Sequence, residues 1–200
     1  MPFNFSPPYD SPLEDTFAYH LAKYAGDDVQ IDSQVPANTI CGLFLMDFVA
    51  HSPRVGRIGI ECDGKEFHND SRDEWRDAMI LGTNTVDVIY RVRGSDITHH
   101  INDVLYCLAQ LEPGLCSERG EINLRTLASS EARKLFLTKD EDLYHVHYTQ
   151  DEKEGSLFLE TRRLRIPQGQ RRFWQSAYKH ALSVGGGNLD DVILSYRQCP

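Results

Sequence analysis

Long apolar runs, closely spaced cysteines and a basic balance of charge are all missing from this chain of 200 residues. No apolar stretch approaches the roughly 20 residues that a membrane-spanning helix needs. Residues 1–10 contain three prolines and no basic patch followed by an apolar stretch, so we expect an extended arm rather than a secretory signal. These absences predict a cytoplasmic protein with no membrane partner.

The five cysteines, at positions 41, 62, 107, 116 and 199, are odd in number and form no C-x-x-C pair. This spacing argues against a zinc knuckle or a redox motif. We therefore expect reduced thiols that mostly fill the core, and no structural zinc.

The net charge of −9 argues against a nucleic-acid partner, but the charges are unevenly distributed. Residues 161–180 contain six basic side chains and no acidic ones. Such a segment can supply phosphate contacts even in an acidic protein, so DNA binding stays open.

Periodicity and capping signals predict an α/β core with the order α-β-β-β-α-β-α. Ser11, Pro12 and Glu14 form a helix start of the capping-box type, and Gly26 ends that helix. We expect the next elements to be strands 29–35, 43–50 and 57–63, a helix from 69–71 to 81, strand 86–92 and helix 97–111. Pro36 is expected to end the first strand, and Ser95 or Asp96 to cap the last helix.

The composition divides the chain into four segments. Residues 1–10 are the arm, 11–113 the core, 114–120 a linker and 121–200 an α+β extension that is basic at 161–180. The extension is expected to contain a helix within 121–137, a hairpin of strands 144–148 and 157–165, and a helix over 170–182 that ends at the glycines 185–187.

Three carboxylates of the predicted core strands are expected to converge near one strand end. Glu61 and Asp63 are two residues apart, so they share one face of a strand, and Asp47 belongs to the neighbouring strand. Like charges this close repel unless a cation lies between them. The sequence therefore indicates a site for Mg²⁺ or Mn²⁺, although Asp47 alone could be a strand-end residue that faces water.

The acid in one strand, followed by Glu-x-Asp in the next, resembles the PD-(D/E)XK nuclease superfamily. The stretch from Met46 to Val49, the run Ile60-Glu61-Cys62-Asp63-Gly64 with His68, and the pairs Arg72-Asp73 and Arg76-Asp77 resemble its subfamily related to very-short-patch repair endonucleases. The resemblance covers residues 11–111 and implies a restriction-endonuclease-like core with a mixed central sheet.

The sequence departs from that pattern at two positions. Met46 replaces a proline that often precedes the first acid, and Asp63 stands where many members have a catalytic lysine. The general base is therefore open. Lys65 and His68 are candidates for proton transfer, and the alternative for each is an exposed turn residue.

Further candidates surround this set. Glu14 could be a fourth active-site acid or only a helix cap, and Arg72 and Arg76 could touch phosphate or pair with Asp73 or Asp77. The extension offers arginines and an aromatic ring for DNA, or alternatively a basic surface that docks on the acidic core: Arg162, Arg163, Arg165, Arg171, Arg172 and Trp174. His145 and His147 share a strand face, but no acid or cysteine completes a metal site there.

The resemblance implies a metal-dependent DNA endonuclease that nicks one strand, in repair, recombination or mobile-element biology. A non-catalytic binding module on the same fold and an enzyme that cuts RNA are the alternatives. A protein partner or a homodimer is also open.

Overall fold

The computed structural model describes residues 6–64, 70–148, 155–166 and 170–198. Within these residues the chain forms seven helices and one open, mixed sheet of six strands. In chain order the elements are α1 (Pro12–Tyr24), β1 (Gln30–Thr39), β2 (Gly42–Ser52), β3 (Gly56–Asp63), α2 (Asp70–Gly82), β4 (Val88–Arg93), α3 (Gly94–Leu111), α4 (Glu118–Leu127), α5 (Ser130–Lys134), β5 (Leu143–Tyr148), β6 (Gly155–Arg163), α6 (Phe173–Ser183) and α7 (Leu189–Gln198). The predicted α/β class is confirmed, and the first seven elements follow the predicted order.

The strands lie in the order β1-β2-β3-β4-β6-β5. β3 and β4 are parallel, and every other neighbouring pair is antiparallel. A parallel pair needs a crossover connection, and α2 lies in that connection. The carboxyl ends of β3 and β4 consequently meet at one edge of the sheet.

Helix α1 begins as its sequence predicts. The Ser11 side chain accepts a hydrogen bond from the Glu14 backbone N–H at 3.2 Å, and Pro12 occupies the first turn. Unlike a regular capping box, the Glu14 carboxylate accepts from the Ser11 hydroxyl at 2.8 Å. Phe17 and Leu21 are fully buried in the core cluster that includes strand residues, so the apolar face of α1 packs on the sheet.

Two predicted boundaries are wrong. β1 continues through Pro36 to Thr39, because β1 is an edge strand and proline there sacrifices no ladder hydrogen bond on its open side. Helix α3 begins at Gly94 without a side-chain cap, whereas the Asp96 carboxylate accepts the Phe158 backbone N–H at 3.1 Å. Asp96 therefore bonds to β6 instead of capping its own helix.

The segment after α3 is more structured than expected. Residues 118–120 of the predicted linker belong to α4, whose cap is Ser117. The single helix expected within 121–137 is two helices, because Ser129 caps α5 and its own N–H donates to Asp103 at 2.7 Å.

The predicted hairpin of β5 and β6 is confirmed, and it extends the central sheet by pairing with β4. Its expected turn at 151–155 falls largely outside the described residues. The helix predicted over 170–182 is α6, whereas α7 was not predicted. Core and extension thus contribute strands to the same sheet.

Helices cover both faces of this sheet. On one face, α1, α3 and α4 enclose a core that includes Phe17, Phe48 and Tyr90. On the other face, α2, α6 and α7 enclose Trp75 and Met79. The described residues 6–10 of the predicted arm form no helix or strand.

The four cysteines at 41, 62, 107 and 116 are free thiols, as predicted, and Cys199 lies outside the described residues. Among the helices described, none has both the length and the apolar character needed to cross a membrane.

Candidate functional site

Asp47 lies where the pairing of β2 with β3 stops. The ladder ends at Phe48 opposite Ile60, and beyond it the Cys62 N–H donates to Asp47 Oδ2 at 2.7 Å. A side-chain carboxylate thus replaces a backbone acceptor between the two strands. The arrangement fixes the Asp47 carboxylate at the edge of the sheet where β3 ends.

The Asp47 carboxyl group is partly buried beside other acids. Burial raises its pKa from 3.8 to about 6, and the hydrogen bond from Cys62 opposes that rise. The negative charges of Glu14 and Asp63 raise the pKa further, whereas Arg76 lowers it. The carboxylates predicted from sequence therefore act on one another electrostatically, and we call Glu14, Asp47, Glu61 and Asp63 the acid site.

Glu61 is 3% exposed and faces α2. Both of its oxygens accept hydrogen bonds from Arg76, at 3.0 and 3.1 Å. Burial still raises the pKa of Glu61 to about 8, against the effect of Arg76 and with a further contribution from the charge of Asp47. Arg76 consequently compensates this buried carboxylate only in part.

Asp63 is paired with Arg91 of the neighbouring strand β4. Arg91 Nη1 donates to both oxygens of Asp63, at 3.0 and 3.2 Å. The same guanidinium donates to both oxygens of Asp77 on α2, at 2.8 and 2.7 Å, and Arg162 lies 3.2 Å from Asp77. Asp63, Arg91, Asp77 and Arg162 therefore form a largely buried ion-pair network that joins β3, β4, β6 and α2.

The structure places the remaining acid, Glu14, at the start of α1. It is buried, and its carboxylate accepts a hydrogen bond from Gln34 at 3.1 Å in addition to that from Ser11. Gln34 has a φ of 51°, which L side chains adopt rarely. Lys65 and His68 lie outside the described residues, so their roles in proton transfer stay predictions.

The two arginines predicted on α2 have different partners. Arg76 binds Glu61 and the Leu45 carbonyl, so it belongs to the acid site. Arg72 lies on the surface, 3.0 Å from Asp190 of α7. Asp77, one of the partners that sequence spacing allowed, pairs instead with Arg91 and Arg162.

The basic segment of the extension is largely engaged within the protein. Arg162 pairs with Asp77 and Glu160, Arg163 with Glu112 at 2.7 Å, and Arg172 with Asp142 at 2.8 Å. The Trp174 indole donates to the Arg163 carbonyl at 3.0 Å. The side chains of Arg165 and Arg171 are exposed. The contacts of Arg162 with Asp77 and of Arg163 with Glu112 favour the alternative in which the segment docks on the acidic core.

Oxygen donors alone make up the acid site, which is the chemistry that Mg²⁺ and Mn²⁺ prefer. A carboxylate offers about four lone-pair positions, and the arginines use two on Glu61 and two on Asp63. Over the described residues, no group of three or more histidine, cysteine or acidic side chains is arranged to hold a metal ion. A cation would have to share Glu61 and Asp63 with Arg76 and Arg91.

Sequence reasoning missed Arg91, Gln34 and the role of Asp77. A signal existed for Arg91, because a charge inside the apolar strand 86–92 requires a buried partner. Asp77, which is fully buried, could not be identified as that partner from spacing, because the two residues are 14 apart and on different elements.

Comparison with known proteins adds no relative: no family model, no curated protein and no solved structure matches the chain. The resemblance to PD-(D/E)XK nucleases therefore rests on the sequence motifs.

Proposed function

We propose that this protein is a metal-dependent nuclease that hydrolyses phosphodiester bonds in DNA. The observation that supports the proposal is the position of Asp47, whose carboxylate takes a place in the β2–β3 ladder beside Glu61 and Asp63. Burial, together with the neighbouring acids, raises the pKa of the Asp47 and Glu61 carboxyl groups and so disfavours their ionised forms, even with Arg76 beside them. A divalent cation would stabilise those ionised forms.

Each residue has a defined task in this proposal. Asp47 and Glu61 would hold the metal, and Asp63 would contribute the lone pairs that Arg91 leaves open. When bound, Mg²⁺ polarises a phosphoryl oxygen and lowers the pKa of an attacking water. Arg76 keeps the Glu61 carboxylate oriented toward the sheet edge, and the buried network behind Asp63 holds that side chain in place.

The proposal is tested by incubating labelled DNA and RNA, single-stranded and duplex, with Mg²⁺, Mn²⁺ or EDTA. We expect cleavage of DNA with either metal and none in EDTA. Glu61→Gln removes one charge and almost no volume, so it should retain the fold and lose cleavage. Glu141→Gln, at an exposed position, is the matched control and should cleave as the native protein does. Normal cleavage by Glu61→Gln would place the chemistry elsewhere.

A non-catalytic DNA- or protein-binding module is the second candidate. The observation that favours it is the pairing of Glu61 with Arg76 and of Asp63 with Arg91, which gives two of the acids a cationic partner without a metal. Calorimetric titration with Mn²⁺ separates the two candidates. The nuclease should bind Mn²⁺, and Asp47→Asn should bind it far more weakly, whereas the binding module should give no heat of Mn²⁺ binding in either protein.

A further inference from the structure

A row of stacked side chains crosses the sheet next to the acid site. Arg93 is the register partner of Asp63, and His145 is the register partner of Phe158. The Arg93 guanidinium carbon lies 4.1 Å from the centre of the Phe158 ring. The Phe158 ring of β6 and the His145 ring of β5 stack with their centres 4.4 Å apart and their planes 8° from parallel. The row runs from β3 through β4 and β6 to β5.

This row lies on the same face of the sheet as Glu61 and Asp63. Val92, Leu159 and Val146 alternate with its members and are buried in the core on the opposite face. Arg93 and His145 are exposed, and Phe158 is half-buried. The stacked side chains are therefore accessible from solvent beside the acids.

Arg93 differs in its charge partners from the arginines around it. Arg76, Arg91 and Arg162 are all bound to buried carboxylates. In the described part of the chain Arg93 forms no ion pair, and its contact is with the Phe158 ring. Asp96 is an acid close enough for its pKa to be affected by Arg93: burial raises that pKa, and the Phe158 N–H and the charge of Arg93 oppose the rise. The hydrogen bond of the Asp96 carboxylate goes to the Phe158 backbone N–H.

Stacking on an aromatic ring orients a guanidinium without consuming its donors. A cation–π contact is an attraction between the positive charge and the ring, and it consumes none of the N–H donors. The N–H donors lie in the plane of the group and suit the oxygens of a phosphate, which they can bind in pairs. Phe158, on which His145 stacks, thus orients an arginine that retains its hydrogen-bonding capacity.

The acid site by itself repels a polyanion. A phosphate that approaches Asp47, Glu61 and Asp63 needs a positive group that is exposed and not already neutralised. Arg93 fulfils both conditions, and its strand position puts it directly beside Asp63. We propose that Arg93, held by Phe158, on which His145 stacks, binds a backbone phosphate of DNA next to the acid site. That the phosphate belongs to a DNA substrate rests on the proposed function.

Binding in EDTA tests this inference apart from cleavage. Fluorescence anisotropy is measured with a fluorescein-labelled 20-nucleotide DNA, as single strand and as duplex, over a range of salt concentrations. Arg93→Ala should weaken binding about tenfold, and it should reduce the log–log salt slope by about 0.9 on duplex or about 0.7 on single-stranded DNA. Arg125→Ala removes the same charge from an exposed position on α4 and should leave affinity unchanged beyond a small general effect.

Two further variants test how Arg93 acts. Arg93→Lys retains the charge and loses the planar fork, so binding should be intermediate. Phe158→Leu retains the arginine and removes its stacking partner, so affinity should fall while the salt slope stays near the native value. Thermal denaturation of each variant checks that the fold is retained.

Equal affinity and equal salt slope in Arg93→Ala and Arg125→Ala would overturn the inference, as would a native protein that binds neither oligonucleotide. A specific loss in Arg93→Ala from a protein that cleaves nothing with Mg²⁺ would support the phosphate site and refute the nuclease. Cleavage by the native protein, combined with unchanged binding in Arg93→Ala, would refute this inference alone.

Discussion

The substitution Asp47→Asn should make the protein more stable at neutral and alkaline pH in metal-free buffer. The pKa of Asp47 rises from 3.8 to about 6 on folding, chiefly because of burial. The folded protein therefore binds the proton more tightly than the unfolded chain. The ionised form costs about 3 kcal/mol of folding free energy, at 1.36 kcal/mol for each pKa unit. The amide keeps an acceptor for the Cys62 N–H and carries no charge.

The sign of the pH dependence follows from that rise. Protonated Asp47 imposes no penalty below pH 3.8, and the penalty grows as the pH increases through about 6. Asp47→Asn should thus gain up to about 3 kcal/mol at pH 8, and less than about 1 kcal/mol at pH 4.

Urea denaturation in EDTA at both pH values measures this difference. Asp27→Asn, in the exposed turn between α1 and β1, is the matched control and should show little change at either pH. Adding Mn²⁺ at pH 8 should stabilise the native protein and leave Asp47→Asn almost unaffected. If Asp47→Asn gained no stability at pH 8, or gained as much at pH 4, the claim that burial disfavours the ionised form of Asp47 would be wrong.

Two other changes test the ion-pair network and the basic segment. Asp77→Asn should lower the free energy of unfolding by about 3–5 kcal/mol, because Arg91 and Arg162 lose a buried counter-charge; a loss below about 1 kcal/mol in urea denaturation would show that the network is dispensable. The double change of Arg165 and Arg171 to Ala should leave the melting temperature unchanged, because both side chains are exposed. If these two residues contact duplex DNA, the slope of log affinity against log salt concentration should fall by about 1.8. An unchanged slope would show that residues 161–180 have a structural role only.

Local signals in the sequence predicted the core elements well. Ser11 and Pro12 predicted the start of α1. The mostly apolar run 43–50, and the run 57–63 between two turn signals, located the strands that contain Asp47 and Glu61. The end of β1 was mispredicted, because the tolerance of Pro36 depends on β1 lying at an edge, which only the assembled sheet determines. Helix α7 was not predicted. Its apolar side chains are buried by packing against α2 and α6, which the sequence around α7 does not indicate.

The candidate site was predicted in part for a similar reason. Spacing within one strand put Glu61 and Asp63 on one face, but their arginine partners come from α2 and β4 and could not be paired by spacing. Arg93 carried no signal of its own, since its stacking partner Phe158 is 65 positions away in the chain and is brought beside it by the β4–β6 pairing.

Because β6 pairs with β4, the predicted core depends structurally on the C-terminal extension. A shortened chain that ends near residue 113 would retain the acids but lose the strand that covers the outer edge of β4. That edge would present unpaired backbone groups to solvent and to other molecules, a known route to aggregation. The shortened chain would also lose Arg162, which leaves Asp77 with one cationic partner in place of two. Poor solubility of such a fragment would therefore reflect the loss of β6, and it would say nothing about the chemistry of the acids.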